Sequence, residues 1–499
     1  MTVVAEPVLE VHNIVKTYGG VHALKSVSIS LLPGEVHCLA GENGSGKSTL
    51  IKIISGVERP DSGSISIGGS RRSHLTPNEA IRSGVQVIYQ DFSLFPNLTA
   101  AENIAMLSEL AERRRFSSRK RIYAEADRIV RELGLKIDLG AEVESLSVAD
   151  RQLVAICRAL VGDAKVLIMD EPTTALTHTE VDRLFTIVRR LQERGVAVMF
   201  VSHKLDEVLQ IAQRLTILRN GELVETGPAS DYTGRSVAKA MTGREVSEDR
   251  LVAPVDKDAA LLLDVKNLTR SGDFHHIDLQ LRVGEILGIT GLLGSGRSEI
   301  AEAIFGIRPA HSGEVIVAGQ SHKIDSIRDA VRAGIGYVPE DRLTQGLFLD
   351  ASIADNMVAS SLDSYRTKFG LLNRKRIRDS IADLFKRLRI QAPNVAAVVH
   401  SLSGGNAQRV VLAKWLDRKP TILVLNGPTV GVDIGSKEEI LTILREQAAA
   451  GMGIIVISDD IPELVSSCHR VLIVHEGRIV SEFVGEDINA NEIHKRMAA

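Results

Sequence analysis

Cysteine is scarce in this 499-residue chain: Cys38, Cys157 and Cys468 are far apart and lack the spacing of metal ligands. They read as small buried apolar residues in a reducing compartment, so a disulfide framework is not expected. Long apolar runs are missing too. None approaches the roughly 20 residues of a membrane-spanning helix, and stretches such as Val196 to Val201 (VAVMFV) suit buried strands. The first residues, MTVVAEPVLEVHNIVK, hold no basic region followed by an apolar core, so no secretion signal is expected. Charge imbalance is equally slight. A formal net charge of −3 gives no overall attraction to nucleic acid. What remains is a globular composition, 44% hydrophobic and 25% charged, in a chain long enough for about two to four domains. A cytosolic location follows as the expectation, with any membrane-spanning part in another chain.

The chain repeats itself. GEVHCLAGENGSGKSTLIKIISG from Gly34 aligns with GEILGITGLLGSGRSEIAEAIFG from Gly284, and SLSVADRQLVAICRALVGDAKVLIMDEPT from Ser145 aligns with SLSGGNAQRVVLAKWLDRKPTILVLNGPT from Ser401. The period is about half the chain, far longer than a solenoid repeat, so whole domains have been duplicated. We expect a first domain over 1–243, a polar and acidic linker over 244–260, and a second domain over 261–499. In each, apolar strands such as VLIMD and VAVMFVS alternate with charged helices such as EVDRLFTIVRRLQERG, which predicts an α/β fold on a mostly parallel sheet. The segments Asp91 to Glu144 and Asp341 to His400 read as helical subdomains. Their basic runs, ERRRFSSRKR and NRKRIR, read as solvated helix faces, with contact to a membrane partner as the alternative.

GENGSGKST, Gly41 to Thr49, matches the phosphate-loop pattern G-x-x-x-x-G-K-S between a strand and a helix. Glycines there let backbone N–H groups close around phosphates. Lys47 is placed to reach the β- and γ-phosphates, Ser48 to ligate magnesium, and the helix N-terminus favours the negative charge. VLIMDEP, Val166 to Pro172, ends an apolar strand in two acids, an arrangement that would be costly without a cationic partner. Magnesium supplies one: Asp170 would hold it through water, and Glu171 would orient or deprotonate an attacking water. Gln90, after VQVIY, and His203, after AVMFVS, stand at two more strand ends.

In this order the motifs resemble the ATP-binding cassette family, and the resemblance covers the chain twice. It implies two tandem P-loop NTPase cassettes, each with a mixed or parallel sheet core and a helical subdomain. It assigns Gly41, Glu42, Asn43, Gly44, Ser45, Gly46, Lys47, Ser48 and Thr49 to the phosphates, Tyr18 in KTYGG to stacking on adenine, Gln90 to metal and catalysis beside Asp170 and Glu171, and His203 to a catalytic switch. The family's LSGGQ-like signature falls at Leu146 to Asp150 and again at Leu402 to Asn406, so Ser403, Gly404 and Gly405 would contact nucleotide. ATP and Mg2+ are the implied ligands.

The halves differ. Side chains replace both glycines of the first signature, at Val148 and Ala149, whereas the second keeps Gly404 and Gly405. In the second half the phosphate-loop lysine is Arg297, the glutamine Glu340, the acid pair Asn426-Gly427, the switch histidine Asp459, and Gly272 stands opposite Tyr18. Cassettes of this family pair head to tail, each ATP between the loop of one and the signature of the other. An intramolecular pair therefore joins the intact loop to the intact signature and gathers every loss in the other site.

GLLGSGR, YVPEDRLTQGL at Tyr337 to Leu347, and LSGGNAQ are similar to ATPases of carbohydrate importers for ribose, galactose, xylose or related polyols. That subgroup normally keeps Asp-Glu where this chain has Asn426-Gly427, and commonly carries Ser where Asp459 stands. The resemblance implies an ATPase on the cytoplasmic face of the inner membrane, bound to permease subunits, served indirectly by a periplasmic solute-binding protein, and without nucleic acid. The alternative is a soluble tandem-cassette ATPase acting on ribosomes, but such proteins typically carry two intact sites and a long charged linker. Cassette ATPases of DNA repair would need coiled-coil or zinc-binding insertions that this sequence does not offer.

Overall fold

The computed structural model describes residues 6–111, 118–173, 176, 178–202, 204–243, 258–292 and 294–497. His203 and most of the expected linker lie outside these residues, as does part of the basic run that begins at Glu112. The chain forms two compact units, Met1–Val246 and Ser247–Ala499, of one architecture.

In the first unit a six-stranded sheet runs in the order Glu222–Pro228, Arg214–Arg219, Val36–Ala40, Ala197–Val201, Val166–Asp170, Val85–Ile88. Its strands are parallel except for the antiparallel edge pair Arg214–Arg219 and Glu222–Pro228. Val36–Ala40 and Ala197–Val201 are buried at every position, as expected of central strands covered on both faces. The short apolar runs are therefore strands because both faces are covered; they lack the length for a buried helix. A second sheet, antiparallel and four-stranded in the order Val21–Leu31, Leu9–Tyr18, Ser62–Ile67, Ser70–Arg72, was not foreseen as a separate layer. The alternation in Leu9–Tyr18 is its half-buried face.

The second unit repeats both sheets. Its antiparallel one runs Phe274–Arg282, Leu261–Arg270, Ser312–Val317, Gln320–His322, and its larger one Ile335–Val338, Ile422–Asn426, Gly453–Ile457, Ile286–Thr290, Arg470–His475, Arg478–Val484. The segments expected to be helical hold Ala100–Ala111 and Arg119–Glu132 in the first unit, and Ile353–Val358 and Arg374–Arg387 in the second. Cys38, Cys157 and Cys468 are free and buried, and burial pushes the Cys157 thiol up to about 12, which keeps it protonated and inert. Among the described residues no helix is long and apolar enough to cross a membrane.

Candidate nucleotide site

Parallel pairing brings the ends of three strands into line: Leu39 pairs with Val201, and Val201 with Asp170. Chemistry collects at the carboxyl ends of such strands because the loops leaving them converge there. The loop after Val36–Ala40 turns through Gly44 at φ 82° and Gly46 at φ 108°, backbone that side chains rarely adopt, and enters the helix Lys47–Ile54. A Cβ on Gly46 would stand 2.6 Å from the Ala23 carbonyl, so glycine is required there by packing as well as by conformation.

Lys47 is buried and its ammonium donates to the Gly41 carbonyl at 2.6 Å and to the Glu42 carbonyl at 3.0 Å. The cation is folded back over its own loop, so it can exchange carbonyl oxygens for phosphate oxygens without leaving the site. A cavity of about 620 Å³ opens beside it, lined by Asn43, Gly44, Gly46, Lys47, Ser48, Thr49 and Glu171 among others. Ser48 is exposed and lines this cavity. Gly41, Glu42 and Ser45 belong to the loop but do not line the cavity; nor do Asp170, Gln90 and Tyr18.

Asp170 directly precedes Glu171, and burial, followed by the neighbouring Glu171 charge, raises its carboxyl above the ordinary value while Lys47 and Lys52 pull it down. Ser48 and Glu171 share the cavity wall and Asp170 adjoins Glu171 in the chain; a hydroxyl and carboxylates are hard oxygen donors, the kind that fit a magnesium ion. Gln90 is exposed beyond the edge strand Val85–Ile88. Tyr18 ends the strand Leu9–Tyr18 at 43% exposure; its phenol interacts with Thr49, and Lys16 stands 5.1 Å from its ring. The tyrosine thus reaches the first turn of the loop helix with a face still open.

Sequence reasoning missed Val21, His22, Ala23, Lys25 and Asn220, which also line the cavity. Lys25 pairs with Glu222 at 3.1 Å. Only the first four had a signal, their position just after KTYGG; Asn220 arrives from the distant end of Arg214–Arg219 by sheet pairing.

The two signatures cap their helices differently. Ser147 accepts from the Asp150 amide at 3.1 Å and donates to the Asp150 carboxylate at 2.9 Å, so its hydroxyl is engaged on both sides. Ser403 accepts from the Asn406 side-chain amide at 2.9 Å, which leaves its O–H able to donate elsewhere. A Cβ on Gly405 would meet Ser436 Oγ at 2.4 Å and one on Gly404 the Gly431 carbonyl at 2.8 Å. Packing therefore requires these glycines too, in addition to any close approach of phosphate.

In the second unit Arg297 donates to the Gly291 carbonyl at 2.7 Å, as Lys47 does to Gly41, but it also pairs with Asp459 at 3.7 Å. Asn426 is buried and accepts from Ser298 at 3.4 Å.

A family model described as ABC transporter matches residues 24–174 and 274–430, more than half of the chain. The chain belongs to the ABC transporter ATP-binding family. It is 40% identical over 491 residues to the ribose import ATP-binding protein RbsA 2 of Burkholderia cenocepacia, covering 98% of this chain and 97% of that protein. It is 42% identical over 493 residues to the protein of the same name from Rubrobacter xylanophilus, with 98% and 94% covered. Among solved structures, a chain in a model of ribosome-bound archaeal Pelota and ABCE1 superposes with a TM-score of 0.65 over 97% of this chain and 80% of that one, at 20% identity. That likeness shows the fold alone. The protein is an ABC-type ATPase built of two nucleotide-binding cassettes.

Proposed function

We propose that the chain energises import of ribose or a related small sugar through membrane permease subunits, as a peripheral protein on the cytoplasmic face of the membrane with a periplasmic solute-binding protein acting upstream. The observation that carries this reading is near-full-length identity to ribose import ATP-binding proteins. In the first cassette Lys47, Ser48 and Glu171 line one cavity and Asp170 directly precedes Glu171 in the chain, which supports the reading. ATP is the substrate, with Mg2+ held by Ser48, Asp170 and Gln90; the metal, when bound, would neutralise charge between the phosphates.

In the proposed reaction Lys47 trades its loop carbonyls for the β- and γ-phosphates, Gly41 to Thr49 surround them with backbone N–H groups, and Tyr18 stacks on the base. Glu171 orients the attacking water and takes its proton, with His203 and Gln90 completing the set. From the sequence comes the further proposal that cassettes 1–243 and 261–499, joined by 244–260, pair within the chain so that Ser403, Gly404 and Gly405 close the first site. Asn426 and Gly427 carry no acid, so the second site holds nucleotide without turning it over.

The test is the chain reconstituted in vesicles with a ribose-type permease and binding protein. Ribose-stimulated ATPase activity is expected, with one phosphate released per chain in a single closure and loss of about 10²-fold or more in Glu171→Gln. Activity indifferent to the permease but stimulated by ribosomes would overturn the import reading.

A further inference from the structure

The second phosphate loop has the form of the first: Gly294 and Gly296 take left-handed backbone, and Arg297 opens a helix at Arg297–Ile304. Ser295 within the loop is buried, and its hydroxyl has no hydrogen-bond partner among the described residues. What differs is the company of the cation. One terminal nitrogen of Arg297 is spent on the Gly291 carbonyl, and the other stands 3.7 Å from the Asp459 carboxylate. Arg297 is 12% exposed and Asp459 71% exposed, so a solvated acid reaches over an enclosed guanidinium.

A second acidic residue stands at another strand end. The Cγ of Glu340, which follows Ile335–Val338, lies 3.3 Å from where a Cβ on Gly427 would stand. Val430 Cγ2 is nearer still, at 2.9 Å, so both side chains crowd the place of a side chain at 427. The second site has therefore moved its acids. The strand end that carries Asp170 and Glu171 in the first cassette carries Asn426 and Gly427 here, while Gln90 and His203 have acidic counterparts in Glu340 and Asp459.

The consequence concerns how many phosphates the site tolerates. Any phosphate that Arg297 holds comes within a few ångströms of Asp459, and each further phosphate adds negative charge at that end. Asn426, a neutral amide, brings no negative charge to help hold a divalent cation that would offset it. We propose that the second cassette is a nucleoside diphosphate site, in which Asp459 supplies to Arg297 the anion that a γ-phosphate supplies to the cation of an ordinary loop. This rests on the reading that the second loop binds nucleotide at all. Asp459 is largely solvated, so the discrimination is moderate.

The test uses the full chain carrying Lys47→Ala, which disables the first loop, titrated with fluorescent ADP and fluorescent ATP in the presence of magnesium. ADP is expected to bind about tenfold or more tightly than ATP. Adding Asp459→Ser or Asp459→Asn should raise ATP affinity toward that of ADP, with ADP affinity changed less than about twofold. ATP binding as tight as ADP, or a ratio indifferent to both Asp459 variants, overturns the proposal while the nucleotide reading stands. Failure of both nucleotides to bind, with no change on adding Arg297→Ala, removes that reading and the proposal with it.

Discussion

Glu171 and Gly427 hold the same left-handed backbone at the ends of equivalent strands, φ 49° and φ 59°, and each donates its amide across to the neighbouring strand, Glu171 to Val201 at 2.9 Å and Gly427 to Ile457 at 2.8 Å. A glutamate in this conformation costs about 1 kcal/mol relative to glycine. The acid is thus kept against a local preference, and the second cassette, having lost the acid, has the residue that relaxes the backbone. Glu171→Gly and Glu171→Ala should both abolish turnover, but the glycine variant should be more stable than the alanine variant by about 1 kcal/mol. Thermal denaturation of the two ligand-free proteins checks this; equal midpoints would show that the backbone stores no strain.

Burial raises the Asp170 carboxyl above its ordinary value of 3.8, with Glu171 the next cause. Between that value and the raised one, the folded chain binds a proton that the unfolded chain has lost, so stability falls as pH rises through the window and the full cost is present above it. Asp170→Asn removes the cost. The ligand-free variant should exceed wild type by about 1 kcal/mol or less near pH 7, because the group is partly solvated, and should converge with it below the window. A variant less stable than wild type near pH 7 would contradict the sign.

The signature serines should respond unequally. Ser403 retains a donor and is proposed to meet nucleotide, so Ser403→Ala should lower ATPase turnover about tenfold. Ser147, engaged on both sides by Asp150, caps the helix Val148–Val161, so Ser147→Ala should change turnover less than about threefold while lowering stability by about 1 kcal/mol. Steady-state rates with melting curves separate the two roles, and an equal loss of turnover would refute the distinction.

Contact with the permease should involve the helical segments between the glutamine position and the signature. Single cysteines on the exposed faces of Arg119–Glu132 and Arg374–Arg387 are expected to form cross-links to permease chains in the intact complex, at a yield that changes on adding ATP. Mass spectrometry of the products decides it; absence of any product from both helices in an intact complex would rule this face out.

Much of this was legible in the chain because its signals are local. The duplication, the phosphate loop at Gly41 to Thr49, the acid pair and the two signatures are contiguous patterns, each tied to a strand end or helix start by short-range geometry. Period-2 alternation in Leu9–Tyr18 announced a strand but not its place in a separate antiparallel sheet, since pairing partners are chosen by long-range burial. Asn220 at the cavity wall and the exclusion of Asp170 from it depend on distances that no spacing encodes. The sequence named Arg297 and Asp459 as replacements, and by itself left Arg297 a cation available to phosphate. Only the fold brings Asp459 within 3.7 Å of it, because the strands Ile286–Thr290 and Gly453–Ile457 are parallel neighbours whose ends meet although their residues lie far apart in the chain.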